Sequence, residues 1–315
     1  MELALHPEFL KLSKRRRYLV GISGGRDSVA LLHTLLDHGY HNMVLCHLNH
    51  QLRGKESGKD ATFVRRLAKK YDLSCEIGNV NVSKLMKKNG ESMELAARNA
   101  RHRFFYDCAK AYRCDRVLLA HHADDQAETI LFNLLRGSAG LKGMNFHTEH
   151  IITNKRLNFI RPLLELTRKE IDAYLSHQKI KYREDESNSE PVAARNRIRN
   201  EALPLLEEIM NRDIRPALLR AEKISTNREK ALLDILDGYE LEDPQGRLFL
   251  PKLKSLAASA QATAIQIYLR KKGIPDINRD LLDRCQRLIE DLSISKVNLP
   301  GNQFFRRKAK RLFIE

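Results

Sequence analysis

The sequence predicts an α/β chain, a parallel doubly wound sheet followed by a second, smaller, mostly helical C-terminal domain. Three observations carry this. Short apolar runs alternate with helix-length amphipathic stretches over the first third of the chain. A glycine-rich turn joins the first run to the first helix, and beyond residue 215 the pattern turns largely helical. Strands alternating with helices of this length form right-handed βαβ units, whose sheet is covered on both faces.

Taken in order, residues 18–22 read as a buried strand and 27–37 as a helix with Val29, Leu31, Leu32, Leu35 and Leu36 as its apolar positions. Residues 43–48 predict a second strand, 57–71 a helix, 74–80 a weaker strand and 93–112 a long helix. A strand over 116–120 and a helix over 124–135 follow. The polar stretch 183–191 reads as a loop. The boundary falls at 212–216, beside Pro204 and Pro216, which divides the chain into domains 1–215 and 216–315.

Composition narrows the function classes. A hydrophobic content of 42% supports a sizeable core. No run of about 18 apolar residues marks a membrane helix, and no basic segment followed by an apolar stretch opens the chain. A cytoplasmic protein with no membrane partner is therefore expected. Cys46, Cys75, Cys108, Cys114 and Cys285 are scattered without a CxxC pair, which suits small buried residues in a reducing compartment. The formal charge is +16, from 56 basic and 40 acidic residues. Up to Arg215 there are 37 basic and 27 acidic residues, and beyond it 19 and 13, so both parts suit a polyanion. A homodimer is compatible with the sequence, which does not decide oligomeric state.

The strongest chemical signal is Ser23-Gly24-Gly25-Arg26-Asp27-Ser28, directly after a strand and opening a helix. Glycines let the backbone approach a phosphate, and the N–H groups of the helix start point at it. The Ser23 and Ser28 hydroxyls can add donors. Asp27 cannot bind phosphate by itself, so a bridging Mg²⁺ is its natural role. An ordinary glycine turn with an aspartate cap is the bland alternative. In His121-His122-Ala123-Asp124-Asp125-Gln126-Ala127-Glu128-Thr129, Asp124 and Glu128 stand four apart and Asp125 and Glu128 three apart, so the acids share a helix face. Acids favour a helix N-terminus, which accounts for one carboxylate more easily than for three. Facing a cleft they would hold a cation, either a metal or the ammonium of a small substrate. Arg136-Gly137-Ser138-Ala139-Gly140 could cover a triphosphate or serve as a plain loop. Arg195 and Arg199 share a helix face and could grip phosphate or carboxylate, or line a solvated surface.

The hexapeptide at 23–28 resembles the PP-loop of the ATP pyrophosphatases, which cleave ATP between the α and β phosphates and adenylate an acceptor. Joined in order to His47-Leu48-Asn49-His50-Gln51-Leu52-Arg53, the block 121–129, the loop 136–140, Arg161-Pro162-Leu163-Leu164 and the stretch 185–200, it is similar to the tRNA(Ile)-lysidine synthetase family in its shorter form, with one C-terminal domain. The specific motifs span about residues 15 to 215. For the remainder the likeness rests on size and position.

The resemblance implies a Rossmann-like fold and a ligase using ATP and Mg²⁺. The acceptor would be the wobble cytidine of the isoleucine tRNA with a CAU anticodon, and the donor L-lysine. ATP adenylates O2 of the cytosine, and the lysine side-chain amine then displaces AMP at C2. On this resemblance Ser23, Gly24, Gly25, Arg26, Asp27 and Ser28 hold the phosphates, with Asp27 on the metal. His50 and Arg53 wall the nucleotide pocket, joined by Arg136 and Gly137. Asp125 and Glu128 take the lysine amine, and Arg195 or Arg199 its carboxylate or the RNA backbone. Residues 216–315 would dock the tRNA. A tRNA thiolase of the same superfamily and an RNA-binding protein on a degenerate nucleotide fold are the competing readings. Scattered cysteines weigh against the first, and an intact 23–28 motif against the second.

Overall fold

The structure, a computed structural model, describes residues 2–51, 55–138, 140–183, 194–275 and 277–315. By their internal contacts the residues group into two compact units. One comprises Met1–Phe132 with Gly143–Leu219, the other Asn133–Lys142 with Arg220–Glu315.

In the first unit, among the described residues, six strands form one sheet in the order β3-β2-β1-β4-β6-β5. These are β1 (Tyr18–Gly21), β2 (Met43–Asn49), β3 (Ser74–Asn79), β4 (Arg116–Leu118), β5 (His147–Ile152) and β6 (Lys155–Ile160). Five run parallel and only β5, at the edge, is antiparallel. Helices lie between them, as expected from the alternation: α2 (Arg26–Asp37), α3 (Lys55–Lys70), α4 (Val82–Asn89), α5 (Met93–Ala111) and α6 (Ala123–Leu135). A short α1 (Pro7–Leu10) precedes them, and α7 (Arg168–His177), α8 (Ala194–Arg197), a π-helical turn (Ile198–Ala202) and α9 (Leu203–Met210) follow.

Alternation along β1 explains the two-sided cover. Tyr18 and Val20 enter a core shared with Val29, Leu32 and Leu35 of α2, Val64 of α3 and Ile171 of α7. Leu19 points the other way, into a second core with Phe105 and Cys108 of α5, Val117 and Phe159. All three β1 residues are fully buried, as strands covered on both faces must be. Helix starts are capped as the residue types dictate. The Ser92 hydroxyl accepts from the Leu95 N–H at 3.2 Å, and Thr167 with Glu170 forms a capping box on α7.

The β5–β6 hairpin and helices α4 and α7 lie outside the sequence expectation. In β5 exposed and half-buried residues alternate, so the strand has no apolar run to show. It exists because β6 offers it an edge.

The second unit joins α10 (Arg215–Asp237), whose first residues belong to the first unit, to α11 (Leu250–Lys254), α12 (Ala258–Lys271), α13 (Arg279–Glu290) and the strands β7 (Leu248–Phe249), β8 (Lys296–Leu299), β9 (Gln303–Lys308) and β10 (Arg311–Ile314). Leu281, Leu282, Cys285, Leu288 and Ile289 recur at the spacing of one helix face, and all are buried. They cover one side of an antiparallel sheet ordered β7-β10-β9-β8. Helix predominates here, with a sheet that helical periodicity alone does not disclose.

Candidate nucleotide and cation site

Chain order reverses between β1 and β4 in the sheet, and the crevice beyond their carboxyl ends is the place such folds offer a ligand. Both strands end in the motifs singled out above. After β1 the chain turns through Gly24, whose φ of +92° a side chain would strain. The Ser28 hydroxyl accepts from the N–H groups of Ser23 (3.2 Å) and Gly24 (3.3 Å) and donates to the Gly25 carbonyl (2.9 Å). Ser23 Oγ accepts from the Gly25 N–H at 3.1 Å. The serines thus build the loop. Gly25 is the N-cap of α2 and brings no side chain to the first turn. The opening N–H groups of a helix have no partner within it, so an arrangement of this kind can donate to an anion. Arg26 ion-pairs with Asp172 of α7 at 3.1 Å and reaches Asp27 at 3.4 Å. Backbone pairing of Arg183 with the loop, N–H to the Gly24 carbonyl at 3.0 Å, holds it from the far side.

His122 ties the two motifs together. It is 2% exposed, with Nε2 3.7 Å from Asp27 and 3.5 Å from Asp125, and Nδ1 3.6 Å from Asp124. Burial opposes its charge, but Asp124, Asp27 and Asp125 outweigh it and raise its pKa to about 10. His122 acts on the carboxylates in return. Burial would raise the carboxyl of Asp27, yet His122, Arg26 and Arg168 hold it below its ordinary value. Asp124 is likewise brought to about 2 against its burial, by His122, the Arg168 N–H at 2.9 Å and Arg215.

Asp125 and Glu128 face the same side of α6. The Arg199 guanidinium grips Glu128 through Nε at 2.5 Å and Nη2 at 2.8 Å, and reaches Asp125 at 2.9 Å. Burial raises the Glu128 pKa, with Arg199 opposing it. Arg195 also reaches α6, donating to Thr129 Oγ1 at 3.2 Å and lying over the Phe132 ring. Both arginines therefore converge on the acid-bearing helix. The π-helical turn that carries Arg199 is a local irregularity of the kind found at functional sites.

Adjacent to this, His121 points elsewhere than its neighbour. Burial, with Arg161 and Arg101 nearby, lowers its pKa to about 4 against the pull of Asp125. His50, beyond the end of β2, is lowered to about 4 by burial, Arg101 and His47. Both are neutral imidazoles, and the Nδ1 atoms of both lack a hydrogen-bond partner among the described residues. Arg101 has its pKa lowered by burial and by Arg98 beside it.

Asp27, Asp125, Glu128, Arg199 and the 23–28 loop are thus linked through His122 and Arg199. Arg53 lies outside the described residues, as does 184–193. Arg136 and Gly137 fall in Asn133–Lys142, which groups with the second unit. There Gly137, at φ +80°, ends α6 with its N–H on the Leu134 carbonyl at 3.0 Å. Sequence reasoning missed His122 and Arg101. Adjacent helix-start residues diverge, so the pairing of His121 with His122 in the sequence says little by itself. Arg98 and Arg101, three apart on a long helix, were the only signal for the other.

The hydrogen bond with Cys108, and then burial, raises the Cys46 thiol, while burial raises those of Cys75, Cys114 and Cys285, the last to about 12. Reactive thiolates require the opposite shift. Among the described residues no helix is long and apolar enough to cross a membrane.

The PP-loop domain family matches residues 3–206. The chain is 37% identical over 224 residues to the tRNA(Ile)-lysidine synthase of Clostridium tetani, covering 69% of this chain and 46% of that protein. It is 41% identical over 210 residues to that of Porphyromonas gingivalis, covering 66% and 44%. For Bacillus subtilis the figures are 33% over 266 residues, 81% and 53%. The chain spans about half the length of the curated relatives it matches. Among solved structures, a U34-tRNA thiolase of Methanococcus maripaludis with its [4Fe-4S] cluster shares the fold, with a TM-score of 0.53 and 17% identity over 70% of this chain and 75% of that one. With the glycine loop at the end of β1, the parallel sheet and a family match over most of the first unit, the chain belongs to the PP-loop family.

Proposed function

We infer that the chain is a tRNA-modifying ligase that uses ATP to attach L-lysine to C2 of the wobble cytidine of the isoleucine tRNA with a CAU anticodon. One observation carries the reading. At the sheet's reversal point a helix N-terminus open to phosphate stands beside an acid pair already gripping a cationic group, with His122 between them. A lysine ammonium needs such a pair, and a triphosphate such a helix start. The likeness to tRNA(Ile)-lysidine synthases supports the substrate.

In the first step the cytosine O2 attacks the α phosphorus of ATP and pyrophosphate leaves. The 23–28 loop and the first N–H groups of α2 hold the departing phosphates. Asp27 is ionised and one-third exposed, so it fits Mg²⁺. A Mg²⁺ ion held by Asp27 would take its remaining ligands from phosphate and water. Bound there, the ion would neutralise phosphate charge. In the second step the lysine amine attacks C2 and AMP leaves. Asp125 and Glu128 receive the ammonium in the place now filled by Arg199, which is freed for the α-carboxylate, with Arg195 beside it. Glu128, its pKa raised by burial, is suited to take the proton that the ammonium must lose. His50, His121 and Arg101 wall the base.

The test is incubation with ATP, labelled lysine and bulk tRNA, followed by digestion to nucleosides. Label on a single modified cytidine is expected. Pyrophosphate release without lysine incorporation, or incorporation of sulfur, would overturn the reading.

A further inference from the structure

The antiparallel sheet of the second unit has one face against its helices and one turned away. Opposed residues of neighbouring strands share a face, so the register assigns each side chain. Leu248, Leu312, Phe305, Val297 and Leu299 lie inward, in the buried core. The outer face forms three cross-strand rows. Lys296, Arg306 and Phe313 make one, and Lys308, Arg311 and Phe249 another. On the other side of the Lys296 row from Lys308, Asn298 faces Phe304, with Glu315 beyond. Every row holds an aromatic ring, and two rows add cations.

The rings are part-exposed, and their faces already carry cations. The Arg311 guanidinium lies 4.3 Å from the Phe249 centroid, and Lys296 Nζ 4.8 Å from that of Phe304. Glu315 pairs with Arg306 and Asp243 with Arg311, each at 2.8 Å, while Lys296 and Lys308 are exposed. Buried core chemistry explains none of this, since the rings stand on the side away from the core. Aromatic rings interleaved with cations on an open sheet match the chemistry of unpaired nucleotides. Bases stack on the rings, and phosphates meet the cations.

We propose that this outer sheet face binds an unpaired stretch of RNA, through stacking on Phe304 and Phe313 and phosphate contacts with Lys296 and Lys308. The inference rests on RNA being the substrate, and names where a second contact with it forms. A duplex would present phosphates but no base faces, and so would leave the rings without a role.

Fluorescence anisotropy of the full chain with a short single-stranded RNA, a hairpin duplex of equal length and bulk tRNA tests it. The paired change Phe304→Ala with Phe313→Ala should weaken single-strand binding about tenfold or more, while Phe304→Tyr with Phe313→Tyr restores it. Lys296→Ala with Lys308→Ala should reduce the log–log salt slope by about two. If wild-type protein binds none of the RNAs, this surface and the RNA-modification reading both fall. If it binds and all variants match it, the surface alone falls. Equal affinity for duplex and single strand, or variants that instead break a dimer in sedimentation, would also overturn it.

Discussion

Asp27 is the one carboxylate within the 23–28 loop, and its charge is maintained by His122, Arg26 and Arg168 against burial. Asp27→Ala should lower pyrophosphate release by about 100-fold or more while tRNA affinity stays nearly unchanged; near wild-type turnover at saturating ATP would remove the assignment. His122 is testable without substrate. Its folded pKa of about 10 lies above the unfolded value. Its contribution to stability is therefore complete below about pH 6.5 and is lost as pH rises through 10. An NMR titration should find one imidazole still charged at pH 8, missing in His122→Gln. Glu128 separates the two steps. Glu128→Gln should keep pyrophosphate release and lose lysine transfer, leaving adenylated tRNA to accumulate. Stability should fall by about 1–3 kcal/mol, since Arg199 loses its bidentate partner. Loss of ATP turnover itself would make Glu128 a support of the phosphate site.

At the level of elements, the β1–α2 junction is where backbone conformation makes function. Gly24 holds φ +92°, and an added Cβ would stand 3.4 Å from the Phe63 ring. Gly24→Ala should therefore cost about 1–2 kcal/mol, read as a shifted urea midpoint, and raise the KM for ATP. This junction was legible in the sequence because strand, glycines and helix lie consecutively. The same holds for most of the parallel sheet. The β5–β6 hairpin was not legible, for its strands acquire order from each other and from the sheet edge. In the second unit residues 306–311 form a basic run along the chain. The fold divides it: Arg307 turns inward to the Leu288 and Leu292 carbonyls at 3.0 and 2.8 Å, and Arg311 reaches Asp243. Only part of that run is available to a ligand. The N-terminal run 11–17 divides likewise, with Arg17 bound to Asn42 at 3.2 Å and to the Tyr112 carbonyl at 3.2 Å.

For the whole molecule the net charge of +16 predicts that tRNA binding weakens steeply with salt, through counterion release. Raising KCl should raise the KM for tRNA several-fold and change that for lysine little, because the Asp125–Glu128 pair is recessed in the first unit. A parallel rise in both would place lysine on an exposed surface. A cut near Arg215 is a poor test of the second unit's role, since Arg215 itself lies 3.1 Å from Asp124 and α10 continues without a break to Asp237. Point changes on the outer sheet face avoid that damage. What the sequence alone determined is whatever depends on neighbours in the chain: the strand–helix alternation, the phosphate loop, the acid spacing on α6 and the charge. Tertiary structure alone decided which of those groups meet. His122 between Asp27 and Asp125, Arg199 on Glu128, and rings and cations in rows on one sheet face all join residues distant in sequence. Their pairing is set by strand order and packing, which no local pattern encodes.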